Sequence, residues 1–132
     1  MKGMKEGVTR LLSAIDRREK IVVYGDYDVD GITSTSILVR CLKGMGADVG
    51  YYIPRRETEG YGLNEKALLS LRKEGYTLLI TVDCGISSAE LIARKPEGLD
   101  IIVTDHHTPP EQLPACIAVI NPHQKDCPYP YK

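Results

Sequence analysis

Apolar positions recur along this chain in two periods, and the two alternate. Over residues 4–18, Val8, Leu11, Leu12 and Ile15 fall at helical spacing, which predicts an amphipathic helix. Residues 21–24 are apolar throughout, mostly β-branched, and followed by a Gly-rich loop; that composition predicts a buried strand. Helical spacing returns over 32–45, and a second strand over 49–53 is stopped by Pro54. Asn64 is placed to cap a helix that runs to about residue 74, where Gly75 ends it. A third strand is expected over 78–82, and a short helix over 87–95 capped by Ser87 or Ser88. A fourth strand follows over 101–103 and a fifth over 117–120.

Strands that are apolar on both faces and separated by helices need cover on both sides. The pattern therefore predicts an α/β fold: a doubly wound, mostly parallel, five-stranded Rossmann-like sheet with helices on both faces. In such sheets sites form beyond the carboxyl ends of the strands, near the reversal of strand order. The residues just after each strand are the ones to inspect.

Composition narrows the function classes. A length of 132 residues allows one compact domain with a real core. Seventeen Lys+Arg against 18 Asp+Glu give a net charge of -1, so any contact with nucleic acid is made at a site and not through bulk charge. No apolar run approaches the ~20 residues of a membrane span, and the charged N-terminus leads into no apolar signal segment. Cys41, Cys84, Cys116 and Cys127 form no CxxC pair, which is read as reduced thiols in a cytoplasmic protein.

Three strand exits carry chemistry. Asp26, Asp28 and Asp30 alternate after the first strand, Asp83 follows the third, and Asp105, His106 and His107 follow the fourth. If the first segment stays extended, its three carboxylates point one way and repel one another unless a cation lies between them. Turn chemistry accounts for one of them as a cap for the helix at 32, with Asp30 or Asp26 the candidate. A calcium loop is excluded, because its closing Glu would fall at Ile37 and the segment follows a strand. Oxygen donors with one or two imidazoles suit Mn²⁺ or Mg²⁺ better than structural zinc. A shared central Asp suits two ions ~3.5–4 Å apart, the arrangement for in-line attack at phosphorus.

In order along the chain, Asp26-Tyr27-Asp28-Val29-Asp30-Gly31, Val82-Asp83-Cys84-Gly85 and Thr104-Asp105-His106-His107 resemble the first three motifs of the DHH phosphoesterase family. Glu59-Gly60-Tyr61-Gly62-Leu63-Asn64, the Thr108-Pro109-Pro110 run and Val119-Ile120-Asn121-Pro122 are similar to its single-strand-specific 5′→3′ DNA exonuclease branch. The resemblance runs from about residue 4 to Lys132. It implies a phosphodiesterase with two Mn²⁺ (or Mg²⁺) ions that acts on single-stranded DNA in recombination and repair. Water attacks phosphorus in line, and nucleoside 5′-monophosphates leave.

Carried over, Asp28 would bind one ion, Asp30 the other, Asp83 both, and His106 one. Asp26 would be a further ligand or support one. His107 would contact the scissile phosphate, Asp105 would hold the imidazoles, and Arg56 would contact phosphate. The family's fourth motif supplies another Asp, and its C-terminal lobe closes over the metals. This chain is therefore expected to be an N-terminal lobe truncated before both, weak or inactive alone, and completed in cis or in trans. Two other readings stand beside this one: another DHH phosphoesterase acting on oligonucleotides, cyclic dinucleotides or pyrophosphate, and a non-catalytic scaffold module. Asp26 and the Glu-Gly-Tyr-Gly loop argue for the exonuclease branch, since many other members carry His in the first motif. His123 reads as a loop residue. Tyr129 and Tyr131 are of the kind that stacks on bases, with contacts to the absent lobe the simpler reading.

Overall fold

The computed structural model describes residues 1–55 and 59–131. Its elements are α1 (Met4–Asp16), β1 (Lys20–Tyr24), α2 (Val29–Gly44), β2 (Asp48–Tyr52), α3 (Glu65–Lys73), β3 (Tyr76–Thr81), α4 (Ala89–Ala93), β4 (Asp100–Thr104) and β5 (Ala118–Ile120). The five strands form one sheet in the order β2-β1-β3-β4-β5, every pair parallel.

The side-chain alternation of the strands builds two cores. Ile21, Val23, Leu78, Ile80 and Ile102 face Ala14 of α1 and Val39 and Leu42 of α2. Val22, Tyr24, Leu79, Ile101 and Val103 face Ala67, Leu68 and Leu71 of α3 and Ile92 of α4. Two helices thus cover each face, which is why the strands read as continuous apolar runs. From β1 the chain winds outward to β2, then returns across the sheet to β3. Strand order reverses between β1 and β3, so their carboxyl ends flank the switch point.

Helix boundaries differ from the sequence expectation in two instructive places. The second helix starts at Val29, not 32, because the Asp28 carboxylate accepts the Gly31 N–H at 2.9 Å. Asp28 is the cap, in place of Asp30 or Asp26. The segment after β1 is therefore not extended as far as Asp30, and its three carboxylates do not share one side. The fourth helix covers only Ala89–Ala93, and Ser88 precedes it without a side-chain capping bond. Asn64 does cap α3, accepting the Ala67 N–H at 2.8 Å.

Candidate metal centre

Backbone bonding carries the sheet order into the strand exits. Gly25 N–H donates to the Tyr52 carbonyl at 3.0 Å, Val82 N–H to Tyr24 at 2.9 Å, and Asp105 N–H to Ile120 at 3.1 Å. Each acidic side chain therefore begins from a backbone held by its neighbour. After Asp26 the chain turns sharply into α2. A Cβ at Gly31 would fall 2.6 Å from the Asp26 backbone nitrogen and carbonyl carbon, so only glycine allows the turn. Asp83 adopts a left-handed conformation, φ 62°, which Asp tolerates better than most residues.

This backbone brings four of the five expected metal ligands into two overlapping groups. Donor atoms of Asp26, Asp28 and Asp83 lie within 4.8 Å of one another, and so do those of Asp83, His106 and His107. Asp83 belongs to both. Asp30 belongs to neither: in the first turn of α2 and exposed, it lines a cavity of about 470 Å³ together with Ser34, Asp83, Thr104, Asp105 and His106.

Asp26 and Asp83 are buried, 3% and 7% exposed, yet Asp26 Oδ1 and both carboxylate oxygens of Asp83 lack a hydrogen-bond partner. Burial pushes the Asp83 carboxyl above its ordinary range, the neighbouring Asp28 adds to that, and His106 opposes it. Asp28 is held below its range, chiefly by the Gly31 N–H. His106 Nε2 approaches Asp83 Oδ1 to 2.9 Å, an ion-pair distance without hydrogen-bond alignment. Unsatisfied buried carboxylate oxygens are costly, and a divalent cation is the group that relieves them. Hard carboxylate oxygens joined by imidazole fit Mn²⁺ or Mg²⁺.

Asp105 plays a different part. Its side chain is fully buried and accepts from Ile86 N–H (3.0 Å), His106 N–H (2.8 Å), His107 N–H (3.1 Å) and His107 Nδ1 (2.7 Å). With Nδ1 donating to Asp105, Nε2 of His107 is the nitrogen left for another partner. The same bond raises the His107 pKa above its ordinary value.

Tyr61, which the sequence marked only as part of the Glu-Gly-Tyr-Gly loop and to which it gave no site role, joins the centre. Its hydroxyl lies 3.3 Å from both the Asp83 carbonyl oxygen and His107 Nδ1, and its ring meets His107 edge-on with centroids 5.9 Å apart. The loop carrying it is tied down by Tyr24 Oη donating to the Gly62 carbonyl (3.0 Å) and Asn64 Nδ2 donating to Glu59 (3.2 Å). Tyr52 also donates to Glu59. The signal in the sequence was the pair of flanking glycines, Gly60 and Gly62, both left-handed at φ 75° and 81°. Arg56 lies outside the described residues.

A switch-point site of this kind, on a parallel sheet and built from carboxylates and paired histidines, has a counterpart among known families. Residues 20–128 match the model described as DHH family, N-terminal domain, and the chain belongs to the DHH family. It is 50% identical over 133 residues to the single-stranded-DNA-specific exonuclease RecJ of Bacillus subtilis (strain 168), covering 100% of this chain and 17% of that relative. A crystal structure of exonuclease RecJ bound to manganese superposes with a TM-score of 0.84 at 42% identity, covering 97% of this chain and 34% of the other. RecJ from Thermus thermophilus in complex with Mn²⁺ gives 0.80 at 38% identity, covering 98% and 18%. A Mg²⁺ complex of the same protein also matches, with a TM-score of 0.53 at 32% identity, covering 89% and 15%. The chain thus spans 17% of the length of the Bacillus relative. Among the described residues no helix is long and apolar enough to cross a membrane.

Proposed function

We propose that this chain is the metal-binding N-terminal lobe of a cytoplasmic 5′→3′ single-stranded-DNA exonuclease of recombination and repair. A C-terminal lobe, in cis or in trans, completes it, and nucleoside 5′-monophosphates are the product. The observation that carries the reading is Asp83: a buried carboxylate with both oxygens unpartnered, common to two ligand groups at the switch point. The match to a model of an N-terminal domain supports the division into lobes.

In this reading Asp26, Asp28, Asp83 and His106 hold Mn²⁺ or Mg²⁺, and Asp30, outside both groups, would join them from the wall of the same cavity. When bound, the metal supplies Lewis acidity toward a phosphoryl oxygen and toward water. The protein's own residues do the rest. Asp83, common to both groups, would serve as a ligand in each. Asp105 holds His107 by Nδ1 and favours its protonated form, in which Nε2–H donates to a phosphate oxygen as charge develops there. Asp30 extends the carboxylate wall along the cavity. Arg56, from its place in the sequence, contributes a guanidinium to the phosphate.

The test offers long single-stranded DNA, very short oligonucleotides, cyclic dinucleotides and pyrophosphate in the presence of Mn²⁺. Each is presented to the chain alone and to the chain supplemented with the C-terminal lobe of a RecJ relative. Release of 5′-mononucleotides from long strands by the supplemented protein, abolished in Asp83→Asn, is expected. Preference for a short or cyclic substrate would assign another DHH phosphoesterase. Absence of both metal binding and turnover would leave the scaffold reading.

A further inference from the structure

One fully buried side chain ties the turn after β5 to the imidazole pair. Asn121 is 0% exposed, although it stands at the edge of the sheet and belongs to neither ligand group. Its Nδ2 donates to the His107 carbonyl oxygen at 2.9 Å, and its Oδ1 accepts the His123 N–H at 2.8 Å. One partner can only accept and the other can only donate, so the amide has a single productive orientation. Gln124, also buried, secures the same turn through Nε2, which donates to the Val119 carbonyl at 2.7 Å and to the Asn121 carbonyl at 3.3 Å.

The His106–His107 pair is thus gripped from two sides. Asp105 takes both N–H groups, and Asn121 takes the His107 carbonyl. Both grips start from the end of β5, since the Asp105 N–H itself donates to Ile120. The His106 and His107 side chains are 60% and 47% exposed, and the ring contacts they make are with Tyr61 and with each other. Hydrogen bonds at the backbone and at His107 Nδ1 therefore carry much of their orientation.

We propose that Asn121 is a positioning residue of the metal centre. By holding the His107 carbonyl it sets how the two imidazoles face Asp83, and so sets the centre's affinity for a divalent cation. The proposal rests on reading Asp83, His106 and His107 as such a centre. Groups that orient metal ligands in this way typically contribute roughly ten- to a hundredfold in affinity.

The experiment compares the wild-type chain with Asn121→Asp, Asn121→Ala and Gln124→Ala. Asn121→Asp keeps the shape and the acceptor for His123 but turns an oxygen toward the His107 carbonyl. Gln124→Ala loosens the same turn without touching His107. Mn²⁺ affinity is measured by calorimetry and Tm in chelator; the His107 Nδ1–H signal and amide exchange at 106 and 107 are followed by NMR. Asn121→Asp is expected to weaken Mn²⁺ binding about tenfold and to lose the protected Nδ1–H. Gln124→Ala should lower Tm while keeping both. Asn121→Ala supplies the same readouts if the buried carboxylate prevents folding. Wild-type affinity and unchanged His107 signals in the Asn121 variants, with only Tm lowered, would overturn the proposal. Failure of the wild-type chain to bind Mn²⁺ would overturn the metal reading instead, and the His107 signals would still decide whether Asn121 positions the histidines.

Discussion

His106 Nε2 lies 2.9 Å from Asp83 Oδ1, yet neither oxygen of Asp83 has a hydrogen-bond partner among the described residues. Donor and acceptor are near but not aligned with each other. Both are instead arranged around common space, as two ligands of one cation are. The left-handed backbone of Asp83 is part of the same arrangement, since strain of this kind persists where a site requires it.

Asp83→Asn separates the metal from the fold. Asn accepts φ 62° as readily as Asp, so the backbone is undisturbed. In chelator the variant should be at least as stable as wild type, because burial and Asp28 both oppose the ionised Asp83. Mn²⁺ at a hundred times its Kd stabilises wild type by about 2.7 kcal/mol, roughly a 10 °C rise in Tm for a chain of this size. Thermal unfolding with and without Mn²⁺ checks this. An equal rise in the variant would remove Asp83 from the ligand set.

Asp28 serves two purposes that substitution can divide. Asn is as good a helix cap as Asp, so Asp28→Asn should keep the bond from Gly31 N–H and nearly all the metal-free stability. Asp28→Ala should lose it. With Mn²⁺ added, both variants should respond less than wild type. Matching Tm values for the two variants in chelator would mean that the cap contributes nothing.

Gly31→Ala would drive a methyl group into the Asp26 backbone. The chain must open the turn, at a cost of about 1–3 kcal/mol, and opening it moves Asp26 away from Asp28 and Asp83. Urea unfolding should register the lost stability and a Mn²⁺ titration the lost affinity. A variant with wild-type values in both would mean that the turn is looser than the structure has it.

A pH dependence independent of the site comes from the amino-terminal ends of the central strands, opposite the site. Arg10 bridges Glu19 at 2.6 Å and Asp100 at 2.8 Å, and Thr77 also donates to Glu19 at 2.8 Å. The Arg10 hydrogen bond is the main reason the Glu19 carboxyl sits below its ordinary value of 4.5. Folded Glu19 therefore binds its proton more weakly than unfolded Glu19. Its stabilisation is complete above that ordinary value and lost as pH falls through the lower folded value. Urea midpoints of wild type and Glu19→Gln, taken from about pH 6 to about pH 3, should differ at the upper end and converge at the lower. A gap that persists at the acid end would assign the effect to packing.

The order of strands and helices, the parallel sheet and the strand exits that carry Asp26, Asp28, Asp83 and Asp105-His106-His107 were all legible in the sequence. Each rests on local pattern: apolar runs that need cover on both faces, glycines where the chain turns, and polar residues placed directly after the runs. What could not be read locally was the direction of each side chain. Asp28 rather than Asp30 caps α2 because the bond to Gly31 sets where the helix starts, and that start swings Asp30 out of both ligand groups. Tyr61 and Asn121 reach His107 from 46 and 14 residues away. Those contacts exist only once residues 59–64 and the turn after β5 are laid beside the end of β4. Periodicity determines which face of its own element a residue occupies. Contacts between elements depend on how the elements pack, and only the tertiary structure decides them.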